Sequence, residues 1–296
     1  MLKHFFSACL VALSLFASTS HAATDAAQPK KMTAEEFLAS LHFQHGKITL
    51  PGDIATLDLP SNFRYLPPDD AERVLVDAWG NPPGPKSLGM IFPESVGPLS
   101  ENGWGVIITY AKDGYVKDDD ADKIDYKDLL KDMQKGLEEA NADRIKQGYG
   151  SMTLVGWADA PYYDKNTNKM YWAKELKTGE QQGNTLNYNV RVLGRHGVLV
   201  LNAVAGMSQK TEIKREMQKV QNFTDFTAGN RYVDYDAKTD KLAEYGIAAL
   251  VAGGVASKLG LFGKLFAFLL AFKKLIIVGI AALGGAVMKL FGRKSD

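Results

Sequence analysis

Two arginines, Arg191 and Arg195, have the residue type and position best suited to binding a ligand or a partner. Arg191 lies in the segment 184–193, where apolar and polar residues alternate as in a strand with one polar face. A guanidinium on that face can hold a carboxylate or a phosphate through two parallel hydrogen bonds. Arg195 follows in the turn 194–197 together with His196. The alternatives are an ion pair with an acidic neighbour for Arg191 and simple exposure in the turn for Arg195.

Aromatic residues at 157–164 form a second candidate surface. Trp157 and Tyr163 flank a short stretch that contains Pro161, and the stretch could line a groove for a peptide or a glycan. The alternative is packing in the core or in a turn, because aromatic rings supply much of the apolar area of protein interiors. The predicted ligand- or partner-binding residues are therefore Arg191, Arg195, Trp157 and Tyr163.

The acidic stretch 118–122 approaches the pattern of a calcium-binding loop without completing it. Such a loop needs a glycine and a glutamate at positions that Lys123 and Leu129 occupy here. A weaker version of the pattern at 164–168 fits a hairpin turn better. We interpret the stretch 118–122 as a solvated acidic run whose negative charges favour the start of the helix that follows.

Histidine and cysteine offer no better metal site. His42 and His45 could share one helix face, but Gly46 follows at once and no third ligand is adjacent. Cys9 is the only cysteine and lies in the N-terminal apolar stretch, so a chain cleaved after residue 22 retains none. We therefore predict no metal site and no cofactor.

The sequence assigns no catalytic residues. The motifs of serine hydrolases, zinc peptidases and phosphate- or dinucleotide-binding loops are absent from it. Chemistry by carboxylates alone, as in glycosidases, stays open because aspartate and glutamate are frequent. Whether the protein is an enzyme is left undecided, with a preference for a non-catalytic role.

The order of segments predicts an α+β domain, in which helices pack on an antiparallel sheet. Strand patterns joined by short turns dominate, and no repeated strand–helix–strand crossover is present. Apolar stripes at helical spacing predict helices at 126–147 and 209–222. The apolar stretch 198–205 is predicted to be a central strand, and short strand-like material is predicted at 231–235.

The two ends of the chain indicate export and membrane attachment. Residues 1–22 have the short apolar run and the small residues before a cleavage point that are typical of a signal peptide. Residues 23–241 form the predicted soluble domain, and 242–296 form anchor helices with a basic tail. Lysines divide the anchor into three apolar pieces of 12 to 14 residues. A helical hairpin and a single span with an interfacial segment both fit, and a buried helix pair is the alternative to an anchor.

Charge is distributed unevenly between the two parts of the chain. Residues 245–296 contain six lysines, one arginine and one aspartate, a net charge of +6, and the rest of the chain carries −5. An acidic body on a basic, apolar tail argues against nucleic acid as a partner and favours a bilayer surface. We expect the lipid bilayer to be contacted through residues 246–291.

Short motifs along most of the chain carry a resemblance to a known family. They lie at 79–83, 89–93, 114–121, 156–164 and 186–198. Together they resemble DUF2167, a family of uncharacterised bacterial proteins described as membrane-anchored. The resemblance implies a location in the bacterial envelope, and it supplies no catalytic or binding residues.

The expected function is that of an envelope protein of the bacterial inner membrane, with its α+β domain in the periplasm. The domain is expected to bind a partner at the membrane surface, such as an envelope protein or a cell-wall component, without catalysis. The alternative is a membrane-tethered hydrolase that acts on cell-wall or peptide substrates through carboxylates.

Overall fold

The computed structural model describes residues 32–81, 84–146, 150–179 and 183–253, which form an α+β domain. Its strands make two antiparallel sheets, with helices packed against them. The predicted α+β class with an antiparallel sheet is thereby confirmed. The predicted signal peptide and the predicted anchor from residue 254 onwards lie outside the described residues.

The larger sheet carries the residues that matter for function. In chain order its strands are β3 (Phe63–Leu66), β4 (Met90–Pro93), β5 (Val106–Ala111), β6 (Met152–Asp164), β7 (Lys169–Thr178), β8 (Thr185–Leu193) and β9 (Val198–Gly206). They are arranged in the order β3-β4-β5-β9-β8-β7-β6. The apolar strand β9 lies between β5 and β8, as its composition predicts. The smaller sheet consists of β1 (Lys47–Thr49), β2 (Ala55–Asp58) and β10 (Thr224–Phe226), with β2 in the middle.

Five α-helices lie in the described residues: α1 (Ala34–Ala39), α2 (Pro68–Arg73), α3 (Tyr126–Lys146), α4 (Lys210–Asn222) and α5 (Ile247–Ala252). The residues directly before α1 and α3 cap these two helices. Thr33 accepts a hydrogen bond from the backbone N–H of Glu36, and the Glu36 carboxylate accepts one from Thr33. Asp125 accepts hydrogen bonds from the backbone N–H groups of residues 127 and 128 at the start of α3. These caps satisfy N–H groups that have no partner inside the helix.

Both faces of the larger sheet are covered. On the first face, alternate apolar residues of β8 and β9 pack against α4 and against the smaller sheet. On the second face, α2 covers β3 to β5, while α3 and α5 cover β6 and β7. The central strands are consequently buried on both sides, which removes the alternation of exposed and buried residues expected for a half-exposed sheet.

Two short strands and one turn differ from the sequence-based prediction. The strands β3 and β10 were not predicted, because four and three residues carry too little periodicity to stand out. The prediction of strand-like structure at 231–235 is wrong, because Tyr232–Asp234 forms a 3-10 turn. The Asp234 carboxylate stabilises this turn by accepting hydrogen bonds from the backbone N–H groups of Gly229 and Arg231.

The edge strand β6 is shielded by α3. The side chains of Gln134 and Asn141 on α3 donate hydrogen bonds to backbone carbonyls of β6, and Asn141 also accepts one from the Met152 N–H. Further along, the register with β7 shifts at three places between residues 154 and 162. Side-chain cover and such bulges both discourage pairing with another chain at a sheet edge.

The helix α5 is part of the folded domain. Ile247, Leu250 and Val251 are buried in one cluster with Met170 and Trp172 of β7. The Asp120 carboxylate accepts hydrogen bonds from the backbone N–H groups of Ile247 and Ala248, at 3.0 and 3.1 Å. Where the predicted bilayer contact 246–291 overlaps the described residues, these three side chains contact protein instead. Among the described residues, no helix is both long enough and apolar enough to cross a membrane.

Candidate functional site

A cluster of polar side chains lies on the second face of the larger sheet, at its centre. We call it the polar strip, and it consists of Lys174 on β7, Asn187, Asn189 and Arg191 on β8, and Asn202 on β9. The strand register places these residues side by side: Lys174 is opposite Asn187, and Asn189 is opposite both Asn202 and Trp172. The strip therefore lies between the cover formed by α2 and the cover formed by α3 and α5.

The polar face predicted for β8 exists, and the structure shows that it is buried. All nine residues of β8 are buried. Arg191 is 8% exposed and Lys174 is 4% exposed, so both cationic side chains lie inside the protein. Burying charge is strongly unfavourable unless an opposite charge compensates. A polar face kept in this position is consequently a candidate site.

Arg191 lies against an aromatic ring. Its guanidinium carbon is 4.9 Å from the centroid of the Trp172 ring, and Nη1 donates a hydrogen bond to the Val190 carbonyl at 3.3 Å. No carboxylate of the described residues lies within 4.0 Å of the guanidinium. Burial lowers the pKa of Arg191 to about 10. The side chain is thus held in place by weak contacts and keeps most of its five donors available.

Lys174 adds a second positive charge near Arg191. Its pKa is lowered to about 7, chiefly by burial and further by the positive charge of Arg191. Close to neutral pH, the ammonium group can therefore gain or lose its proton. An anion in the strip would favour the protonated form.

The three asparagines form a chain of hydrogen bonds that ends in an unpaired donor. The Asn189 amide donates to Asn187 Oδ1 at 2.7 Å, and the Asn187 amide donates to Asn202 Oδ1 at 3.1 Å. Asn202 Nδ2 is buried without a hydrogen-bond partner, and so is the indole Nε1 of Trp172. Both atoms are donors, so this face presents hydrogen-bond donors as well as positive charge.

Arg195 lies outside the strip and has a structural partner. Its guanidinium donates two hydrogen bonds to the Asp240 carboxylate, from Nε at 2.7 Å and from Nη2 at 3.1 Å. The Arg195 hydrogen bond lowers the pKa of Asp240 to about 2. The pair joins the β8–β9 turn to the segment that leads into α5, and His196 lies at 4.0 Å from the same carboxylate.

The two predicted aromatic residues are half-buried and hydrogen-bonded. The Trp157 indole donates to the Tyr126 carbonyl at 3.0 Å, at the start of α3. The Tyr163 hydroxyl donates to the Asp118 carboxylate at 2.9 Å. Trp157 is opposite Lys174 in the strand register and so borders the strip, whereas Tyr163 lies at the far end of β6. The register therefore places Trp157 in line with Lys174 and Asn187, and Tyr163 in line with Met170 and Arg191, whereas Arg195 lies outside the strip.

Three carboxylates of the acidic stretch 118–122 make contacts that stabilise the fold. Asp118 accepts the Tyr163 hydroxyl, Asp120 caps α5, and Asp122 forms an ion pair with Lys165. His42 and His45 contact different carboxylates, Asp70 and Glu94. Within the described residues, no group of three histidine, cysteine or acidic side chains is arranged to hold a metal ion.

A small surface cavity of about 280 Å³ lies between the β6–β7 turn and the segment 225–233. The Lys169 ammonium group at this cavity donates hydrogen bonds to the Gln221 carbonyl at 2.5 Å and to the Thr224 carbonyl at 3.2 Å. Because its donors already hold β10 and the end of α4 in place, we assign Lys169 a structural role.

The sequence matches one family over most of its length. The family model of DUF2167, described as a protein of unknown function, matches residues 42–284. The chain belongs to this family. The match includes every residue of the polar strip, and it confirms the resemblance inferred from the motifs.

Comparison of this DUF2167 protein with other proteins adds only distant matches. A search of curated proteins gave no significant match. Three similar solved structures are cyanobacterial PsbP from Synechocystis sp. PCC 6803, LpqN of Mycobacterium tuberculosis, which is involved in cell envelope biogenesis, and the Ran-binding protein Mog1p of Saccharomyces cerevisiae. Their sequence identities are 9%, 12% and 9%, and their TM-scores are 0.35, 0.30 and 0.32. The matches cover 62%, 66% and 63% of this chain and 92%, 97% and 96% of the others.

Sequence analysis did not identify four of the five strip residues of this DUF2167 protein as candidate site residues. Lys174 was overlooked because a lysine in a strand is usually solvent-exposed. The asparagines of β8 were assigned to the polar side of the strand, and only Arg191 on that side was selected as a candidate site residue. One signal was present: Asn202 interrupts the apolar stretch 198–205, and a polar residue inside a fully buried strand points to a polar neighbour across the sheet.

Proposed function

We propose that this protein is a membrane-anchored component of the bacterial envelope, with a non-catalytic binding domain at the periplasmic face of the inner membrane. The signal-peptide pattern at 1–22 and the apolar, basic sequence after residue 253 support this location. The domain is packed up to α5, and the apolar sequence continues directly from there. A position close to the bilayer surface follows from that continuity.

The observation that carries the binding function is the burial of Lys174 and Arg191 on one face of the central sheet. Replacing a buried charge by an apolar residue of similar size is often neutral or stabilising, so stability alone does not explain two such charges. Buried, perturbed cations are frequent at functional sites because they interact strongly with a ligand in a medium of low dielectric constant. The strip is therefore the site that we assign to a ligand or a partner.

The alternative function is hydrolysis through carboxylates, and its expected signature is not found in the part of the chain that the structure describes. A general acid of this type needs a carboxyl group whose pKa is raised enough to keep its proton near neutral pH. The carboxyl groups of the described residues with a resolved pKa shift are Asp70, Asp125, Asp164, Glu216 and Asp240, and each is lowered. Their hydrogen bonds favour the ionised form, which suits capping and ion pairing.

Expression of the full chain in a bacterium tests location and binding together. We expect the protein to stay in the membrane after a carbonate wash and to be digested by protease added to spheroplasts.

In-cell cross-linking should give a partner adduct that Arg191→Met abolishes at an equal protein level. Arg195→Met serves as the matched control and should keep the adduct. Protection from protease would overturn the location, and an unchanged adduct in Arg191→Met would overturn the strip as the binding site.

A further inference from the structure

We propose that the polar strip binds an oxyanion, the phosphate or carboxylate group of a ligand. This inference rests on the proposed binding function and names the chemical class of its ligand. Three observations support it: the charge of the strip, its unpaired donors, and the contrast with the paired arginine of the same domain.

Charge is the first observation. Lys174 and Arg191 are both buried, and no carboxylate of the described residues lies within 4.0 Å of the Arg191 guanidinium. The Tyr245 hydroxyl near Arg191 donates a hydrogen bond to the Asp113 carboxylate at 2.6 Å and is itself neutral. The Arg191 guanidinium is therefore a buried positive charge that no carboxylate of the described residues pairs with, in a medium where charge interactions are strong. A negatively charged ligand is the partner that such a guanidinium favours.

The unpaired donors are the second observation. Asn202 Nδ2 and Trp172 Nε1 have no hydrogen-bond partner, although Asn202 is fully buried and Trp172 is 1% exposed. They lie on the same face as the guanidinium, in the row next to it. An oxyanion accepts several hydrogen bonds at once and would satisfy these donors together with those of Arg191. A neutral apolar ligand would leave them unsatisfied.

The contrast with Arg195 is the third observation. Arg195 is held by two hydrogen bonds to one carboxylate of its own chain, the usual arrangement for a structural arginine. Arg191 has an aromatic ring and one carbonyl instead. The asparagine chain beside it fixes the amide orientations, so the donors are positioned before a ligand binds.

The test is a melting experiment on the full chain, purified in a zwitterionic detergent. Inorganic phosphate is titrated at constant ionic strength against sodium chloride. We expect a saturable rise of the melting temperature with phosphate, because a ligand that binds only the native state stabilises it. Arg191→Met should remove this rise and should melt at the same or a higher temperature than wild type without phosphate. The matched control Arg195→Met should melt at a lower temperature and should keep the rise.

A more conservative variant, Trp172→Phe, keeps the proposal testable if Arg191→Met does not fold. Trp172→Phe keeps an aromatic ring beneath the guanidinium and removes one donor, so we expect phosphate affinity to fall roughly tenfold. The same titration with acetate separates carboxylate from phosphate: a rise with acetate alone assigns the carboxylate, and a rise with phosphate alone assigns the phosphate.

Reconstitution into lipid vesicles distinguishes an oxyanion that belongs to a lipid headgroup from one that belongs to a soluble ligand. The full chain is placed in phosphatidylglycerol or in phosphatidylcholine vesicles, and phosphate is titrated again. A rise in phosphatidylcholine only indicates that anionic headgroups already fill the strip, whereas equal rises indicate a soluble oxyanion. Absence of any rise with phosphate or acetate in detergent and in both vesicles would overturn the inference. If the in-cell adduct still depended on Arg191 in that case, the binding function would stand without the oxyanion.

Discussion

Arg191 and Arg195 lie on one hairpin, yet their guanidinium groups have different kinds of partner. The Arg195 guanidinium is held by the Asp240 carboxylate, and the Arg191 guanidinium rests on Trp172 inside the protein. Sequence reasoning selected both residues for the same chemistry. Only the positions of Asp240 and of the helices on the second face separate a structural arginine from a candidate binding residue.

The Asp240 carboxylate gives a first prediction, on the pH dependence of stability. Arg195 lowers its pKa from 3.8 to about 2 in the folded state. The pair therefore stabilises the native state above the ordinary pKa, and this contribution is lost as the pH falls towards 2. We expect Asp240→Asn to melt at a lower temperature than wild type at pH 7, with a difference that shrinks between pH 4 and pH 2.

Melting curves from pH 7 down to pH 2 check this expectation. Asp143→Asn is the control, because Asp143 pairs with Lys146 on the exposed surface of α3 and should have little effect. A wild-type advantage that stayed constant down to pH 2 would contradict the assignment.

Lys174 gives a second prediction, in the alkaline range. Its folded pKa is about 7, whereas an unfolded lysine titrates near 10.4. Between these values the unfolded chain binds a proton that the folded chain lacks, so the free energy of unfolding contributed by Lys174 rises with pH from about 7 to about 10. We expect wild type to gain stability over Lys174→Met across this range, and phosphate to reduce the gain.

The comparison uses melting temperatures at pH 7 to 10 for wild type, Lys174→Met and Lys177→Met. Lys177 is exposed on the same strand and should leave the pH dependence unchanged. Parallel profiles for wild type and Lys174→Met would show that the Lys174 amine is not titrating inside the protein.

At the scale of elements, the helices were predictable and the short strands were not. The predicted helices 126–147 and 209–222 match α3 and α4 closely, because an apolar stripe at helical spacing is encoded locally. The strands β3 and β10 form because β4 and β2 supply backbone partners, which no local pattern reveals. The strip escaped prediction for the same reason, since it depends on the register of three strands.

The short helix α5 gives a third prediction. Asp120→Ala removes the carboxylate that accepts the Ile247 and Ala248 N–H groups, and we expect a loss of about 0.5–2 kcal/mol in the stability of this contact. Gly246→Ala should act similarly, because a Cβ atom there would lie 2.7 Å from the Asp120 carboxylate oxygens.

Hydrogen exchange of the backbone amides at 247–252 measures this contact directly. Both variants should exchange faster there while α4 stays protected. Asp119→Ala is the matched control, because Asp119 is the exposed neighbour of Asp120. Unchanged protection at 247–252 in Asp120→Ala would show that α5 is held by its apolar side chains alone.

At the scale of the whole molecule, the order of segments predicted the class of fold, and composition marked the start of an apolar, basic region near residue 245. The apolar content that marked 242–296 as an anchor does not distinguish residues that pack on the domain from residues that enter lipid. The segment before α5 is also part of the folded domain, since backbone hydrogen bonds join Tyr115 to Lys241 and to Ala243. The division of the chain at residue 241 stays a prediction, and it can be tested by truncation.

A chain ended after Gly253 and a chain ended after Lys241 give the fourth prediction. The shorter chain loses Ile247, Leu250 and Val251, each at most 5% exposed. Burial of such a side chain contributes roughly 1.5–3 kcal/mol, so their loss removes a large part of the stability of a typical domain. We expect the longer chain to accumulate in the periplasm and to melt cooperatively, and the shorter chain to be degraded or to melt at a much lower temperature. Equal melting temperatures would show that the domain is complete at residue 241 and that α5 is only loosely associated with it.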